Sequence, residues 1–255
     1  MAEDRRAWRL VLESVESDLL SGRLSPGDRL PPERTLAADL GVGRSSVREA
    51  LRVLEVLGLV RTAVGSGPSS GAVIVSRPSG GMSALLRLQV AAHGFAVNDI
   101  VRTRLALEAA VVADLADAVN AASASVDLAA ARDLLSAMEA PGLTDAEFLA
   151  LDQRFHLALA EASGNQVIVA TMAGLRDSIE HYVRVGARQL PSWADTSARL
   201  MREHRDILAA VESGDATAAR ATVRQHISGY YAETNLSPRT PELTGQHRDL
   251  GLTQP

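Results

Sequence analysis

The sequence predicts a mainly α-helical protein in two parts: an N-terminal winged helix-turn-helix with a small β-hairpin wing, then an all-α bundle of about seven helices. Three observations carry this. Before residue 58, short helical segments are separated by Gly-containing turns, and two brief β-branched runs follow them. The stretch Ser76-Arg-Pro-Ser-Gly-Gly81 then interrupts the chain. Beyond it, apolar residues recur at helical spacing and no strand alternation is seen. The expected boundaries are 1–76 for the winged helix, 77–81 for a linker, 82–235 for the helical part and 236–255 for a tail. That tail, rich in Pro, Thr and Gln without periodicity, is expected to be disordered.

Composition narrows the function classes. With 255 residues and 46% apolar side chains, the chain can bury two cores. It contains no cysteine, which excludes disulfides, thiolate metal sites and a thiol nucleophile, so any metal must rely on His and carboxylate. No apolar run is long enough to span a bilayer, and Met-Ala-Glu-Asp-Arg-Arg at the start lacks the apolar core of a signal peptide. A cytoplasmic protein without a membrane partner is the expectation. All 26 basic residues are arginine; residues 1–77 hold 11 of them against 10 carboxylates, and the remainder holds 15 against 21. Only the first part is suited to a polyanion, and its small surplus must work through clustering on one face and pairing of two copies.

The elements follow in order. Leu10, Val11, Val15 and Leu19 recur at helical spacing, and Ser21-Gly22 stops that helix. Ser25-Pro26-Gly27-Asp28 combines a fixed negative φ with a permitted positive one, as a tight turn requires. Pro31-Pro32-Glu33 opens a second helix with a carboxylate in its first turn and Leu36, Ala37 and Leu40 facing inward. Gly41-Val42-Gly43 ends it within a few residues of the next helix. Leu59–Val64 and Ala72–Val75 are the expected strands around a Gly/Ser-rich loop. In the second part, helices are expected at about 82–92, 97–119, 126–139, 144–163, 166–188, 192–212 and 215–232.

The segment from Arg44 to Leu57 is the one with the strongest chemistry. Val47, Ala50, Leu51, Leu54 and Leu57 form an apolar stripe, and Arg44, Arg48 and Arg52 make a row at intervals of four on the other side. Guanidinium forks suit guanine edges and phosphates, and the small Ser45 and Ser46 suit a close groove wall. Taken alone the row is equally a solvated face; the flanking helix, turn and hairpin favour DNA. Arg52, farther along, has an ordinary alternative, with Glu49 and Glu55 within reach as ion-pair partners.

In the second part, Asp152 and His156 stand four apart and project from one helix face, a pair able to chelate one cation. His204 and His226 lie on later helices whose apolar neighbours turn them toward a bundle interior. Each histidine alone is more commonly a hydrogen-bonded core or surface residue, and spacing by itself supports only the Asp152/His156 pair.

The run from Leu24 to Val60, including Leu30-Pro-Pro-Glu-Arg-Thr-Leu-Ala and Gly43-Arg-Ser-Ser-Val-Arg-Glu-Ala-Leu, closely resembles the DNA-binding domain of GntR-family transcription regulators. The resemblance implies operator contacts from Arg34, Arg44 and Arg48 and from Gly65 and Gly67 in the wing, with Ser45 and Ser46 at further groove positions. Two departures stand out: Gly43 replaces the usual Ser cap, at a cost of a few tenths of a kcal/mol, and the wing loop is long and carries no Arg or His of its own. The second part resembles the FCD effector domain of the FadR subgroup through Arg104-Leu-Ala-Leu-Glu108, Asp152-Gln-Arg-Phe-His156 and Ala162-Ser-Gly-Asn165. That likeness implies a divalent metal held by Asp152, His156, His204 and His226, and an effector held partly by Arg104. Arg104 has an ordinary alternative as the ion-pair partner of Glu108 one turn on. Zinc suits an oxygen-and-imidazole set first, with nickel and manganese as alternatives.

A homodimeric transcription regulator is therefore expected, a repressor by analogy, binding a pseudo-palindromic double-stranded DNA operator and responding to a small organic acid at the metal. Two alternatives remain: a regulator for which the metal is itself the signal, and a metal-dependent hydrolase. The latter lacks an evident carboxylate base and leaves the winged helix unexplained, so no catalytic residue is assigned.

Overall fold

A computed structural model describes residues 4–63, 71–75, 80–121 and 126–234 of the chain. Helix α1 (Asp4–Leu20) packs on α3 (Arg44–Val56), which α2 (Glu33–Asp39) precedes, and strands β1 (Val60–Ala63) and β2 (Gly71–Ile74) complete the first part. The strands pair antiparallel with Val60 opposite Ile74 and Thr62 opposite Ala72. On its other edge β2 pairs with the Pro26-Gly27 turn: Leu30 N–H donates to Ala72 O at 2.8 Å and Ile74 N–H to Asp28 O at 2.9 Å. Gly27, at φ 95°, supplies the positive φ of that turn. The three extended segments cover a core of Val11, Val15, Leu36, Val47, Ala50, Leu54 and Ile74.

Two side chains expected in this core are outside it. Leu10 and Leu57 are each 49% exposed. Leu10 lies about 100° around the helix from Val11, away from the stripe that Trp8, Val11, Leu12, Val15 and Leu19 form. Leu57 is already the cap residue of α3, beyond the last full turn, and Leu54 fills the core position.

The second part contains α4 (Gly81–Ala91), α5 (Val97–Asn120), α6 (Ala129–Met138), α7 (Asp145–Ala162), α8 (Gln166–Ala187), α9 (Trp193–Glu212) and α10 (Ala216–Glu233). All seven match the expected helices, with ends shifted by at most one residue apart from the start of α6. That helix begins three residues later than expected because the Asp127 carboxylate accepts from Ala129 N–H at 2.9 Å and starts the helix there. Side-chain caps set four later starts as well. Thr144 and Glu147 form a reciprocal capping box on α7, and Asn165, Ser192 and Asp215 cap α8, α9 and α10. The core these helices share includes Val101, Val112, Leu115, Phe155, Leu159, Ile179, Ile207, Val223 and Tyr231. The expected wing tip, most of the linker and the tail lie outside the described residues.

Candidate metal centre and DNA-facing helix

Residues on three helices meet inside the second core. From α7 come Asp152 and His156, from α9 His204 and from α10 His226; one ligand atom from each lies within 4.8 Å of all the others. Asp152 Oδ1 stands 2.9 Å from His204 Nε2, 3.6 Å from His156 Nε2 and 3.8 Å from His226 Nε2. The Nε2 atoms of His156 and His226 are 3.1 Å apart. Donors about 2.1 Å from one ion stand roughly 3 to 4.2 Å from each other, so small adjustments bring all four to a shared cation. All three imidazoles are buried. His204 is the most telling: its Nε2 is aimed at Asp152, while its Nδ1 is buried without a hydrogen-bond partner and Phe155 packs on the ring at 4.9 Å. A neutral Nε2 beside an ionised carboxylate can either donate a proton to it or, with Asp152, ligate a shared cation. The donor set fits a divalent metal.

Charges around the cluster reinforce that character. Burial holds the pKa of His204 and of His226 below the ordinary imidazole value. Burial alone would raise the Asp152 and Glu108 carboxyls. The His156 imidazole and Arg176 beside both, with His204 also against Asp152 and Arg104 also against Glu108, hold them well below the usual range instead. Both carboxylates therefore stay ionised deep in the core.

Beside the cluster is a cavity of about 270 Å³ lined by Arg104, Asp152, Arg176, His226, Tyr230 and Tyr231, among others. Arg104 serves both of its expected relations: it is paired with Glu108 at 2.8 Å, and it faces this cavity while donating to the Tyr231 hydroxyl. Arg176, on α8, was not evident from the sequence. It reaches Asp152 Oδ2 at 3.2 Å and Glu108 Oε1 at 3.5 Å.

On the first part, Arg34, Arg44, Ser45 and Arg48 are exposed. Arg48 Nε donates to Glu33 Oε2 at 3.0 Å, and Arg44 Nη2 is 3.8 Å from the same oxygen. Ser46 is different: it is 1% exposed, on the side of α3 that carries Val47 and Ala50. Its expected groove contact is thereby corrected, since a side chain on that face points to the core. Gly43 caps α3 with extended backbone and no side-chain bond, as its identity requires. Arg52 is exposed and forms no ion pair among the described residues; Glu55 accepts from Thr62 instead. Gly65 and Gly67 lie outside the described residues.

A helix-turn-helix with a hairpin, followed by a helical bundle around a His/Asp cluster, is the organisation of a two-domain bacterial transcription regulator. Residues 9–68 match the family model described as bacterial regulatory proteins, gntR family, and residues 99–229 match the FCD domain. The chain is 30% identical to the Glc operon transcriptional activator of Escherichia coli, over 89% of each protein. It is 31% identical to the regulator LutR of Bacillus subtilis, covering 84% of this chain and 97% of that one. It is also 31% identical to the transcriptional repressor NanR of Klebsiella aerogenes, over 89% and 85%. The fold is similar to that of a GntR protein from Streptococcus agalactiae, with a TM-score of 0.61 and 24% identity over 87% of this chain and 96% of that one. The chain belongs to the GntR family of bacterial transcription regulators and carries an FCD domain. This membership sets the hydrolase reading aside. Among the described residues, no helix is long and apolar enough to cross a membrane.

Proposed function

We propose that the protein is a homodimeric, effector-released repressor whose operator affinity depends on a small carboxylate bound at a metal in the FCD domain. The observation that carries this is the convergence of Asp152, His156, His204 and His226 beside a cavity that also exposes the guanidinium groups of Arg104 and Arg176. Four protein ligands leave part of a larger coordination shell open, and a carboxylate can complete it while pairing with Arg104. Zinc is the first choice, nickel or manganese the alternatives. A metal acting alone as the signal would need neither the cavity nor its two arginines, and so the effector reading is preferred over the metal-sensor one.

At the DNA, two copies related by a two-fold axis present α3 to the half-sites of a pseudo-palindromic operator, with Arg34, Arg44, Ser45 and Arg48 facing it and Gly65 and Gly67 in the wing. The effector must bind the DNA-competent and DNA-incompetent arrangements with different affinities in order to shift their balance. The named relatives include an activator and a repressor; release by the effector gives repression wherever the operator overlaps the promoter.

The test uses the full chain: calorimetry with zinc, followed by operator binding with zinc alone and with zinc plus candidate carboxylates. Tight zinc binding at one site per chain, with operator release only when a carboxylate is added, is the expected result. Release by zinc alone would instead make the metal the signal, and no zinc binding would remove the metal from the mechanism.

A further inference from the structure

The two imidazoles that face each other across the cluster are both backed by a carboxylate on the far side of the ring. Glu108 Oε2 stands 2.6 Å from His156 Nδ1, an ion-pair contact rather than an aligned hydrogen bond, and Glu203 Oε2 stands 2.9 Å from His226 Nδ1 in hydrogen-bond geometry. A neutral imidazole has one N–H and one lone pair, and the partner of one nitrogen decides which it carries. An ionised carboxylate can only accept, so it keeps the proton on Nδ1 and leaves the Nε2 lone pair directed at the centre of the cluster. His204 has no such backing, for its Nδ1 is buried without a partner.

Resting on the metal reading above, we propose that Glu108 and Glu203 are positioning residues that hold His156 and His226 as Nδ1–H tautomers, and that Glu108 also fixes the guanidinium facing the anion cavity. The Glu108 carboxylate is divided between the two sites. While one oxygen faces His156, the other accepts from Arg104 Nε at 2.9 Å and lies 3.5 Å from Arg176 Nη2. It is 2% exposed, buried away from bulk solvent. Glu203 is held less completely: Arg199 Nη1 donates to it at 2.6 Å, and Arg199 also pairs with Glu233. Through Glu108, the group orienting a metal ligand is the group holding Arg104, so a rearrangement at either site is felt at the other.

An amide cannot do both jobs. In Glu108→Gln, an amide oxygen turned to His156 points its NH₂ at Arg104; an NH₂ turned to His156 forces Nδ1 to accept and puts a proton on Nε2 where the metal must bind. Zinc titration of the full-length chain should therefore show an affinity weakened about 10- to 100-fold in E108Q, with a smaller loss in E203Q. A purely structural role would lower the melting temperature and leave zinc affinity unchanged. The wild-type chain gives a second readout that does not depend on a variant folding. With ¹⁵N-labelled histidine and zinc bound, His156 and His226 should each show a protonated Nδ1 and a metal-bound Nε2. Zinc on Nδ1 of either ring, or E108Q binding zinc as the wild type does, overturns this inference alone. A wild-type chain that binds no zinc overturns the metal reading, and the inference with it.

Discussion

His156 Nε2 and His226 Nε2 face one another at 3.1 Å. Two lone pairs repel at that distance, so without a cation one of the nitrogens must carry a proton; with a cation both can accept. Asp152 beside them is ionised, and His204 supplies a third nitrogen, its Nε2, 2.9 Å from that carboxylate. A divalent ion satisfies all four groups together. Zinc held free at about 100 times its dissociation constant should then stabilise the chain by roughly 2.7 kcal/mol. The shift of the denaturant midpoint after chelation and after re-addition measures it. Asp152→Asn should abolish the zinc response, and an equal response in that variant would show that the ion binds elsewhere.

The same geometry sets a pH dependence for the chelated protein. Burial depresses the pKa of His204 and of His226, and Coulomb repulsion between the two adds to the effect on His204. In the unfolded chain both titrate near the ordinary value of about 6.5. Below that pH the unfolded state binds more protons than the native one, so stability is full above it and declines as pH falls toward the depressed native values. Asp152 and Glu108, held well below the carboxylate range, add a further loss in the same direction at lower pH, below about 4. Urea midpoints measured from pH 7.5 down to 5.5 should fall steadily. A flat or rising profile would contradict neutral, buried imidazoles.

At the DNA-facing helix, one carboxylate gathers two arginines: Glu33 is 3.0 Å from Arg48 and 3.8 Å from Arg44. These side chains are partly exposed, and pairs of this kind contribute at most about 1 kcal/mol, so phosphates and base edges can draw the guanidinium groups away. Arg48→Ala should cost operator affinity about 10- to 100-fold, the worth of one good base contact, and leave the thermal melt unchanged. Competition between operator and non-specific duplex at two salt concentrations distinguishes a base contact from a phosphate contact. Unchanged sequence-specific binding would refute the assignment.

Much of the fold was legible because its punctuation is local. Gly22, Gly41 and Gly58 end helices at positive φ, and a capping side chain stands at the start of α7, α8, α9 and α10. The Asp152/His156 pair could be read from its spacing, and His204 and His226 joined it through resemblance. Arg176 and Glu203 could not be found this way. Arg176 is one of 26 arginines, and it reaches Asp152 across 24 positions by tertiary packing that no periodicity encodes. Glu203 precedes His204 in sequence yet serves His226 on the next helix, since neighbouring residues point about 100° apart. Leu57 and Ser46 erred for related reasons: spacing defines a face, but not where the helix ends or how wide the buried stripe becomes.

Helix α4 is seated on α8 at Gly174, and this contact permits a graded test. A Cβ built at Gly174 would lie 2.8 Å from Leu86 Cδ1 and 3.3 Å from both Cα and N of Ser83. The Leu86 side chain can rotate away, but the Ser83 backbone moves only if α4 shifts. Gly174→Ala should be nearly neutral, because the gain of up to about 1 kcal/mol from replacing a helical glycine offsets the tight contact. Gly174→Val adds two further methyl groups against that backbone and should lose about 1–3 kcal/mol through overpacking. Val167 is on the same helix but 71% exposed, so Val167→Ala serves as a control with little change expected. Urea midpoints ordered as wild type, Ala and then Val, with the larger drop at the second step, are the expected outcome. Valine tolerated at the wild-type midpoint would mean that α4 does not rest on this face of α8.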